Sequence, residues 1–249
     1  MPKVSFIIPS FNHAAFLPHA VDSCRNQSEK DIEIVIVDDA STDTTDQYIN
    51  WLLKQGDARI VYKRNEKNMG RSYSRNLGNK ISTGEIICVL DSDDLAVNQR
   101  AEWTIKRLKK ASVCYGSAVF MDAIGIQLSE KSAGPINKER LLKPIDLKQL
   151  ELDIEKGNPI DLKEIGIVHS TMGFRRDIAL KYPYAEGKIS DLGLDDWNQQ
   201  IQMFKDGVDI DFLPDVLCAY RQHGQTITNT RNPKEVIRMK AEILAGVAC

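Results

Sequence analysis

The chain has 249 residues, of which 42% are hydrophobic and 27% are charged, as is ordinary for a globular protein. Its formal net charge of -2 excludes a general affinity for nucleic acid. No apolar run is long enough for a membrane span or a signal peptide, and the five cysteines show no paired spacing. We therefore expect a cytoplasmic protein.

Strand and helix patterns alternate through the first half of the chain. Short apolar runs bounded by turn residues predict buried strands at Val4–Pro9, Ile32–Val37, Ile60–Tyr62 and Ile86–Leu90. Apolar residues at helical spacing predict helices at 14–26, 41–54, 70–81 and 98–110, with Ser41 as a helix cap. Such alternation is typical of an α/β fold in which helices cover a mostly parallel sheet.

The second half is less regular. It contains a strand pattern over 113–121 and a polar segment, 129–163, with one helix pattern over 147–154. Further along we expect an extended stretch at 167–174, a helical turn at 176–181 and a helix at 194–205. Two strands should follow at 210–212 and 216–220, and a terminal helix at 234–247. A polar segment as long as 129–163 is usually functional or disordered, and our hypothesis is a mobile insertion that closes over a binding crevice.

Three of the predicted strands end in polar residues. The first is followed by Pro9-Ser10-Phe11-Asn12, the second by Asp38-Asp39 and the fourth by Asp91-Ser92-Asp93-Asp94. Ligands bind at the carboxyl ends of parallel strands, so we expect these groups to line one crevice. Adjacent carboxylates favour a divalent cation, although the last group could also be a turn in which Asp94 caps the next helix.

Six segments resemble, in order, motifs of the family 2 glycosyltransferases: VSFIIPSFN, IVIVDDAST, NMGRSYSRNLG, LDSDD, LDDWNQQIQMFKDG and YRQHG. The similarity spans residues 4–228. It implies a GT-A type fold, which has a Rossmann-like, mostly parallel sheet flanked by helices and a less regular acceptor-side half. It also implies one domain over 1–249, in which 1–112 bind the nucleotide-sugar, 113–228 carry the acceptor side and the catalytic base, and 229–249 form a terminal helix.

The resemblance further implies an inverting transferase that depends on Mn²⁺ or Mg²⁺. It would move a sugar from a nucleoside-diphosphate donor, a UDP-sugar, to a hydroxyl of a glycan or lipid-linked acceptor in cell-surface polysaccharide or glycoconjugate synthesis. Any membrane association would be peripheral and through the acceptor. Two alternatives stay open: a non-catalytic nucleotide- or sugar-binding domain of a larger complex, and a sugar nucleotidyltransferase. The second usually carries a glycine-rich loop after the first strand, where this chain has no glycine.

Donor contacts carried over from the family are Pro9, Ser10, Asn12, Asp38, Asp39, Arg71, Arg75, Asp91, Ser92 and Asp93. Among them, Asp39 would accept a hydrogen bond from the nucleobase of the donor, because a uracil N–H is a donor and a carboxylate is an acceptor. Asp93 would bind the metal directly, and His223 would complete its protein ligands. Arg71 and Arg75 lie four residues apart on one predicted helix, so they could meet phosphate, buttress Asp91 or form a solvated face.

The acceptor side rests on fewer residues. The family commonly has Glu-Asp at a helix start, where the second acid is the base, and the pair Asp195-Asp196 occupies this position. Asp196 is therefore the candidate catalytic base. The alternative is that the two acids are a simple acidic pair at a helix N-terminus, which is a frequent feature of helices. Residues 169–173 fall where the family contacts the acceptor or the donor sugar. His13 and His19 receive no role.

Overall fold

The computed structural model describes residues 3–131, 134–136, 146–156, 167–224 and 232–246. Its strands are β1 Val4–Ser10, β2 Ile32–Asp38, β3 Ile60–Arg64, β4 Ile86–Val89, β5 Leu95–Ala96, β6 Val113–Met121, β7 Gln127–Lys131, β8 Gly173–Arg175 and β9 Ile210–Arg221. Its helices are α1 Leu17–Arg25, α2 Thr45–Lys54, α3 Arg71–Ile81, α4 Arg100–Leu108, α5 Leu147–Lys156, α6 Arg176–Lys181, α7 Lys188–Asp191, α8 Asp195–Lys205 and α9 Pro233–Ala245. A 3-10 turn covers His169–Thr171.

One mixed sheet runs through both halves of the chain, in the order β3-β2-β1-β4-β8-β6-β9-β5, with β7 paired to β6. The first four strands of that order are parallel, as are β6 and β9, whereas β8 runs antiparallel between β4 and β6. The predicted α/β fold with a largely parallel sheet is thus confirmed. Because β1 and β2 pair in register up to Ser10 and Asp38, the loops that follow them leave the sheet side by side.

Both faces of the central strands are covered by helices. Phe6 and Ile8 of β1 pack against Leu17 of α1 and Ile49 of α2, while Ile7 faces the core on the opposite side of the sheet. Each fully buried apolar side chain of this kind stabilises the fold by roughly 1.5–3 kcal/mol. Since the faces are closed, a polar ligand can reach these strands only at their ends.

The loops at this edge differ from the prediction. Helix α1 begins at Leu17 instead of residue 14, because Pro18 lacks an amide N–H and is accommodated only in the first turn of a helix. Ser41 does not cap a helix: α2 begins at Thr45, whose backbone N–H and hydroxyl donate to Asp43 at 3.0 and 2.6 Å. The Ser41 hydroxyl accepts instead from the Asn12 N–H at 2.9 Å, so it ties two loops together.

The second half departs from the prediction in two places. Residues 167–174 are not extended throughout, because the 3-10 turn precedes the short strand β8. The two strands expected at 210–212 and 216–220 form one strand, β9, whose pairing with β6 shifts register beside Gly116. The shift accommodates Pro214, which has no N–H to donate to the ladder.

The helix predicted inside the polar segment is confirmed as α5, and the start of that segment forms part of β7. Most of the other residues on which the mobile-insertion hypothesis depends lie outside the described residues. The described cysteines are buried free thiols, and burial raises the pKa of Cys24 and Cys114 to about 12. No described helix has both the length and the apolar character that crossing a membrane requires.

Gly78 provides a test of how closely α3 packs on the sheet. A Cβ at this position would lie inside the van der Waals distance of Ile7 Cγ2. Gly78→Ala gains about 1 kcal/mol of helix propensity but overpacks a core contact at a cost of about 1–3 kcal/mol. We expect a lower free energy of unfolding in urea, with little change for Gly134→Ala, whose Cβ meets no atom within 4 Å. A Gly78→Ala protein as stable as the parent would contradict this packing.

Candidate active site

The loop after β1 is fixed by Asn12. Its backbone is left-handed, with φ of 54°, and its Oδ1 accepts from the N–H groups of Thr42 and Asp43 at 2.7 and 3.2 Å. Pro9 and Ser10 are buried in the last two positions of β1, and the Ser10 hydroxyl has no partner among the described residues. The three predicted donor contacts of this loop therefore lie at the carboxyl edge, where Asn12 acts as a brace between loops.

The two acids after β2 are both buried and both bound. Asp38 accepts from three neighbouring donors: the Arg64 guanidinium, the Tyr62 hydroxyl at 3.1 Å and the Ser41 N–H at 2.9 Å. Asp39 accepts from the Asn65 side chain at 2.7 Å and from the N–H groups of Met69 and Gly70, both at 2.8 Å. A nucleobase N–H that binds Asp39 would therefore join a carboxylate that already holds the loop before α3. The contact with the base stays a prediction.

Arg75 of α3 joins the two acidic motifs. Its Nη2 donates to Asp91 Oδ1 at 2.5 Å, and its Nη1 donates to Asp195 Oδ2 at 2.6 Å. Arg71 also donates to Asp195, through Nε at 2.9 Å. Only 6% of the Arg75 side chain and 1% of the Asp195 side chain are exposed. The predicted contact with Asp91 is thus confirmed for Arg75. The alternative that the two arginines form a solvated helix face is wrong, and phosphate binding by them stays a prediction.

These ion pairs fix the charge state of the acids. Burial alone raises the pKa of Asp91, but the nearby positive groups, Arg75 foremost and Arg71 with it, together outweigh burial and the net pKa falls to about 2. Burial also opposes ionisation of Asp195, yet Arg75 and Arg71 together hold its pKa below the usual range. Burial acts to lower the pKa of Arg75, and the two carboxylates more than reverse this. All three groups are therefore charged at neutral pH.

The two predicted metal ligands lie together. His223 Nε2 is 2.9 Å from Asp93 Oδ2, although 130 positions separate the residues in sequence. His13, for which we expected no role from the sequence, joins them: one ligand atom from each of the three side chains lies within 4.8 Å of the others. Ser92, buried between the two acids of the motif, lies 2.7 Å from His13 Nδ1 through its hydroxyl. Carboxylate and imidazole groups both bind divalent first-row ions, so this donor set fits the cation that the resemblance implies.

Asp94 does not cap a helix, because β5 follows it directly. It is fully buried and accepts from the Arg221 N–H at 2.8 Å; burial, with the charges of Asp93 and Asp91, raises its pKa. The Arg221 side chain donates to the Asp93 carbonyl at 2.8 Å. The end of β9 is thus fastened to the acidic turn, and this fastening places His223 beside Asp93.

The candidate base differs from its neighbour in exposure and in contacts. Asp195 is buried under the two arginines, whereas Asp196 is half-buried at the start of α8. The only hydrogen bond that the Asp196 carboxylate accepts from a described residue comes from the Trp197 N–H, at 2.8 Å. Asp196 is therefore the acid of the pair that is open to a new proton donor.

A group of buried polar atoms lies beside Arg75. Both ring nitrogens of His169 and the Tyr184 hydroxyl have no hydrogen-bond partner among the described residues. The His169 and Tyr184 rings meet edge to face at 5.3 Å, and the Arg75 guanidinium lies 5.4 Å from the Tyr184 ring centroid. Burial, with the Arg75 charge, lowers the pKa of His169 to about 4, so the ring is neutral at pH 7. Buried polar atoms are normally hydrogen-bonded, so this group indicates a surface for a polar ligand.

The sequence pattern described as "Glycosyl transferase family 2" matches residues 5–182. The chain belongs to the family 2 glycosyltransferases. The matched range includes Arg75 and the Asp91–Asp94 turn, whereas Asp195, Asp196 and His223 lie beyond it. The glycosyltransferase activity that the resemblance implies is thereby confirmed at the level of the family.

The relatives agree with this assignment. An uncharacterized glycosyltransferase of Methanocaldococcus jannaschii is 28% identical over 224 residues, which cover 88% of this chain and 71% of that protein. S. aureus TarS 1–349 in complex with UDP-GlcNAc has a similar structure, with a TM-score of 0.65 and 17% identity over 98% of this chain and 71% of that 1–349 chain. A Pyrobaculum calidifontis mannosyltransferase in complex with GDP-Man and Mn²⁺ matches with a TM-score of 0.62 and 17% identity over 99% of this chain and 72% of that one. These similarities confirm the GT-A type fold of this family 2 glycosyltransferase.

The Arg75 ion pairs predict a pH-dependent contribution to stability. Arg75→Met leaves two carboxylates without their buried partner, which costs about 3–5 kcal/mol of unfolding free energy at neutral pH. The folded-state pKa of Asp91 is lowered, so its contribution is present above its ordinary pKa of about 4 and is lost as pH falls toward 2. The destabilisation measured by urea unfolding should therefore be larger at pH 7 than at pH 3.

Arg238→Met is the matched control. Its ion pair with Glu151 is exposed and screened by solvent, so the loss of stability should be small at either pH. Equal destabilisation by Arg75→Met at pH 7 and pH 3 would contradict an ionic role.

Proposed function

We propose that this glycosyltransferase transfers one sugar from a nucleoside-diphosphate donor to an acceptor hydroxyl, with inversion at the anomeric carbon and with a divalent cation at Asp93 and His223. The observation that carries the proposal is the Arg75 guanidinium, which contacts both Asp91 and Asp195. The donor motif and the candidate base motif are therefore one side chain apart, which is the arrangement that a direct displacement needs.

On the donor side, Asp93 and His223 would hold the cation. When bound, this cation would supply positive charge that stabilises the leaving diphosphate. Arg75 keeps Asp91 ionised and fixes its position through a hydrogen bond. A uridine donor is proposed because Asp39 can accept from a uracil N–H, and the fold relatives bind UDP-GlcNAc in one case and GDP-Man in the other.

On the acceptor side, Asp196 would act as the general base. Its carboxylate takes the proton of the acceptor hydroxyl while that oxygen attacks the anomeric carbon and the bond from this carbon to the diphosphate oxygen breaks. Asp195 cannot share this role easily, since Arg71 and Arg75 occupy both of its oxygens. The neutral His169 ring and the Tyr184 hydroxyl, which have no hydrogen-bond partner among the described residues, would hydrogen-bond sugar hydroxyls.

We also propose the division of labour along the chain. Residues 1–112 would bind the donor, residues 113–228 would supply the acceptor side and the base, and 1–249 would act as one domain. The acceptor would be a glycan or a lipid-linked glycan of the cell surface, and membrane contact would occur through that acceptor. The continuous sheet from β4 through β8 to β6 supports a single unit.

The cation is tested by nucleotide affinity. UDP should bind much more tightly with Mn²⁺ than with EDTA in isothermal titration calorimetry, because a cation held by Asp93 and His223 would offset the negative charge of the diphosphate. Asp93→Ala should remove that difference, whereas Asp215→Ala, at an exposed acid of β9, should preserve it. Equal UDP affinity with and without cation in the unchanged protein would rule out this site.

The same titration separates the alternatives. Titrating GDP in place of UDP tests which nucleobase the donor site prefers. Binding of a nucleoside triphosphate tests the nucleotidyltransferase alternative, and binding of free glycan tests the alternative of a non-catalytic binding domain. Preferential binding of the triphosphate, or of glycan alone, would count against the transferase proposed here.

The base is tested by separating binding from transfer. Asp196→Asn keeps the size of the side chain but cannot take a proton, so sugar transfer should fall by about 10²–10⁴-fold while UDP affinity stays near that of the unchanged protein. Asp191→Asn, at an exposed acid of α7, is the control and should retain transfer. Unimpaired transfer by Asp196→Asn would remove this residue from the mechanism.

A further inference from the structure

Three segments that are far apart in sequence bring nitrogen and oxygen ligands to one point. His13 follows the loop after β1, Asp93 follows β4 and His223 follows β9. One ligand atom of each side chain lies within 4.8 Å of the other two, and all three residues are half-buried. Both histidines therefore face the same carboxylate, although only one of them belongs to a motif recognised in the sequence.

His13 is held in this position by its surroundings. Asn12, with its left-handed backbone, turns the chain immediately before it. Its Nδ1 lies 2.7 Å from the Ser92 hydroxyl, and its ring packs edge to face at 5.7 Å from Phe16 and 6.0 Å from His223. Histidines that bind metals usually hydrogen-bond through the second ring nitrogen, which fixes the ring and the tautomer. Ser92 occupies that role here, so Nε2 of His13 is the nitrogen that can bind a cation.

The Asp91-Ser92-Asp93 motif thus supplies one candidate ligand, Asp93, and orients another, His13. In Asp91-Ser92-Asp93, the first acid is bound by Arg75, the serine holds His13 and the last acid meets His223. The serine is only 2% exposed, so its hydroxyl has few alternatives to this contact. The sequence could not reveal this, because a serine between two acids looks like a spacer.

We propose that His13 is a third protein ligand of the cation, and that the cation is therefore a first-row transition ion such as Mn²⁺ in preference to Mg²⁺. The inference rests on the proposed function, because the ion is the one that would stabilise the leaving diphosphate. Mg²⁺ prefers oxygen ligands in a near-octahedral shell and loses water reluctantly. Two imidazoles and one carboxylate suit transition ions better, since imidazole is a ligand of choice for them.

The direct test counts the histidine nitrogens bound to Mn²⁺. Pulsed electron paramagnetic resonance of the full chain with Mn²⁺, with and without UDP, should detect two imidazole nitrogens in the unchanged protein. His13→Asn should reduce the count to one and weaken Mn²⁺ binding by roughly 10- to 100-fold. His19→Asn, an exposed histidine of α1 six residues away, should keep two nitrogens and full affinity.

A second arm measures selectivity by calorimetry with Mn²⁺ alone and Mg²⁺ alone. Mn²⁺ should bind at least about tenfold more tightly than Mg²⁺, and the ratio should shrink in His13→Asn, since the lost ligand is the one that Mg²⁺ uses poorly. The number of imidazole nitrogens bound to Mn²⁺ in the unchanged protein tests the third ligand without any variant. Poor folding of His13→Asn would therefore not prevent the test.

One nitrogen in the unchanged protein, retained in His13→Asn, would overturn the role of His13 while leaving the cation at Asp93 and His223 intact. Equal affinity for Mn²⁺ and Mg²⁺ would overturn the selectivity. No Mn²⁺ binding with or without UDP would overturn both this inference and the cation in the proposed function.

Discussion

The structure of the site depends on one buried guanidinium. Arg75 extends from α3 between Asp91, at the end of a central strand, and Asp195, at the start of a helix 120 positions away in sequence. A buried carboxylate without such a partner would cost several kcal/mol or become neutral. The pair of acids can therefore be charged and close together only because Arg75, with help from Arg71, lies between them.

This arrangement divides the acids of the site by function. Asp91 and Asp195 are held by arginines, while Asp93 and Asp196, the next acids along the chain, form no ion pair with an arginine among the described residues. Arg221 fastens the end of β9 to the acidic turn and brings His223 to Asp93. His169 and Tyr184, whose polar side-chain atoms have no hydrogen-bond partner among the described residues, lie beside Arg75. Rigid ion pairs thus position the groups to which we assign the proposed chemistry.

The sequence predicted the strands well, because buried parallel strands are uninterrupted apolar runs. It also predicted that polar groups gather at one edge of the sheet, because polar residues follow three of these strands. It did not predict partners that depend on the tertiary fold. Arg75 and Arg71 have the spacing of a solvated helix face, and only the packing of α8 turns them into buried partners of Asp195. His13 carries no motif of its own, and its place beside Asp93 results from Asn12 and Ser92. Ser41 follows the pattern of a helix cap, but its hydroxyl accepts from Asn12.

The most direct test of this account is a double-mutant cycle on Arg75 and Asp195. Urea unfolding of Arg75→Met, Asp195→Asn and the double variant gives the coupling free energy between the two side chains. Each single change leaves one side chain of the pair buried without the other. The double variant should therefore lose less unfolding free energy than the sum of the two single losses, with a coupling free energy of about 0.5–3 kcal/mol. Losses that add to within about 0.5 kcal/mol would show that the guanidinium does not link the two motifs, and would contradict the account.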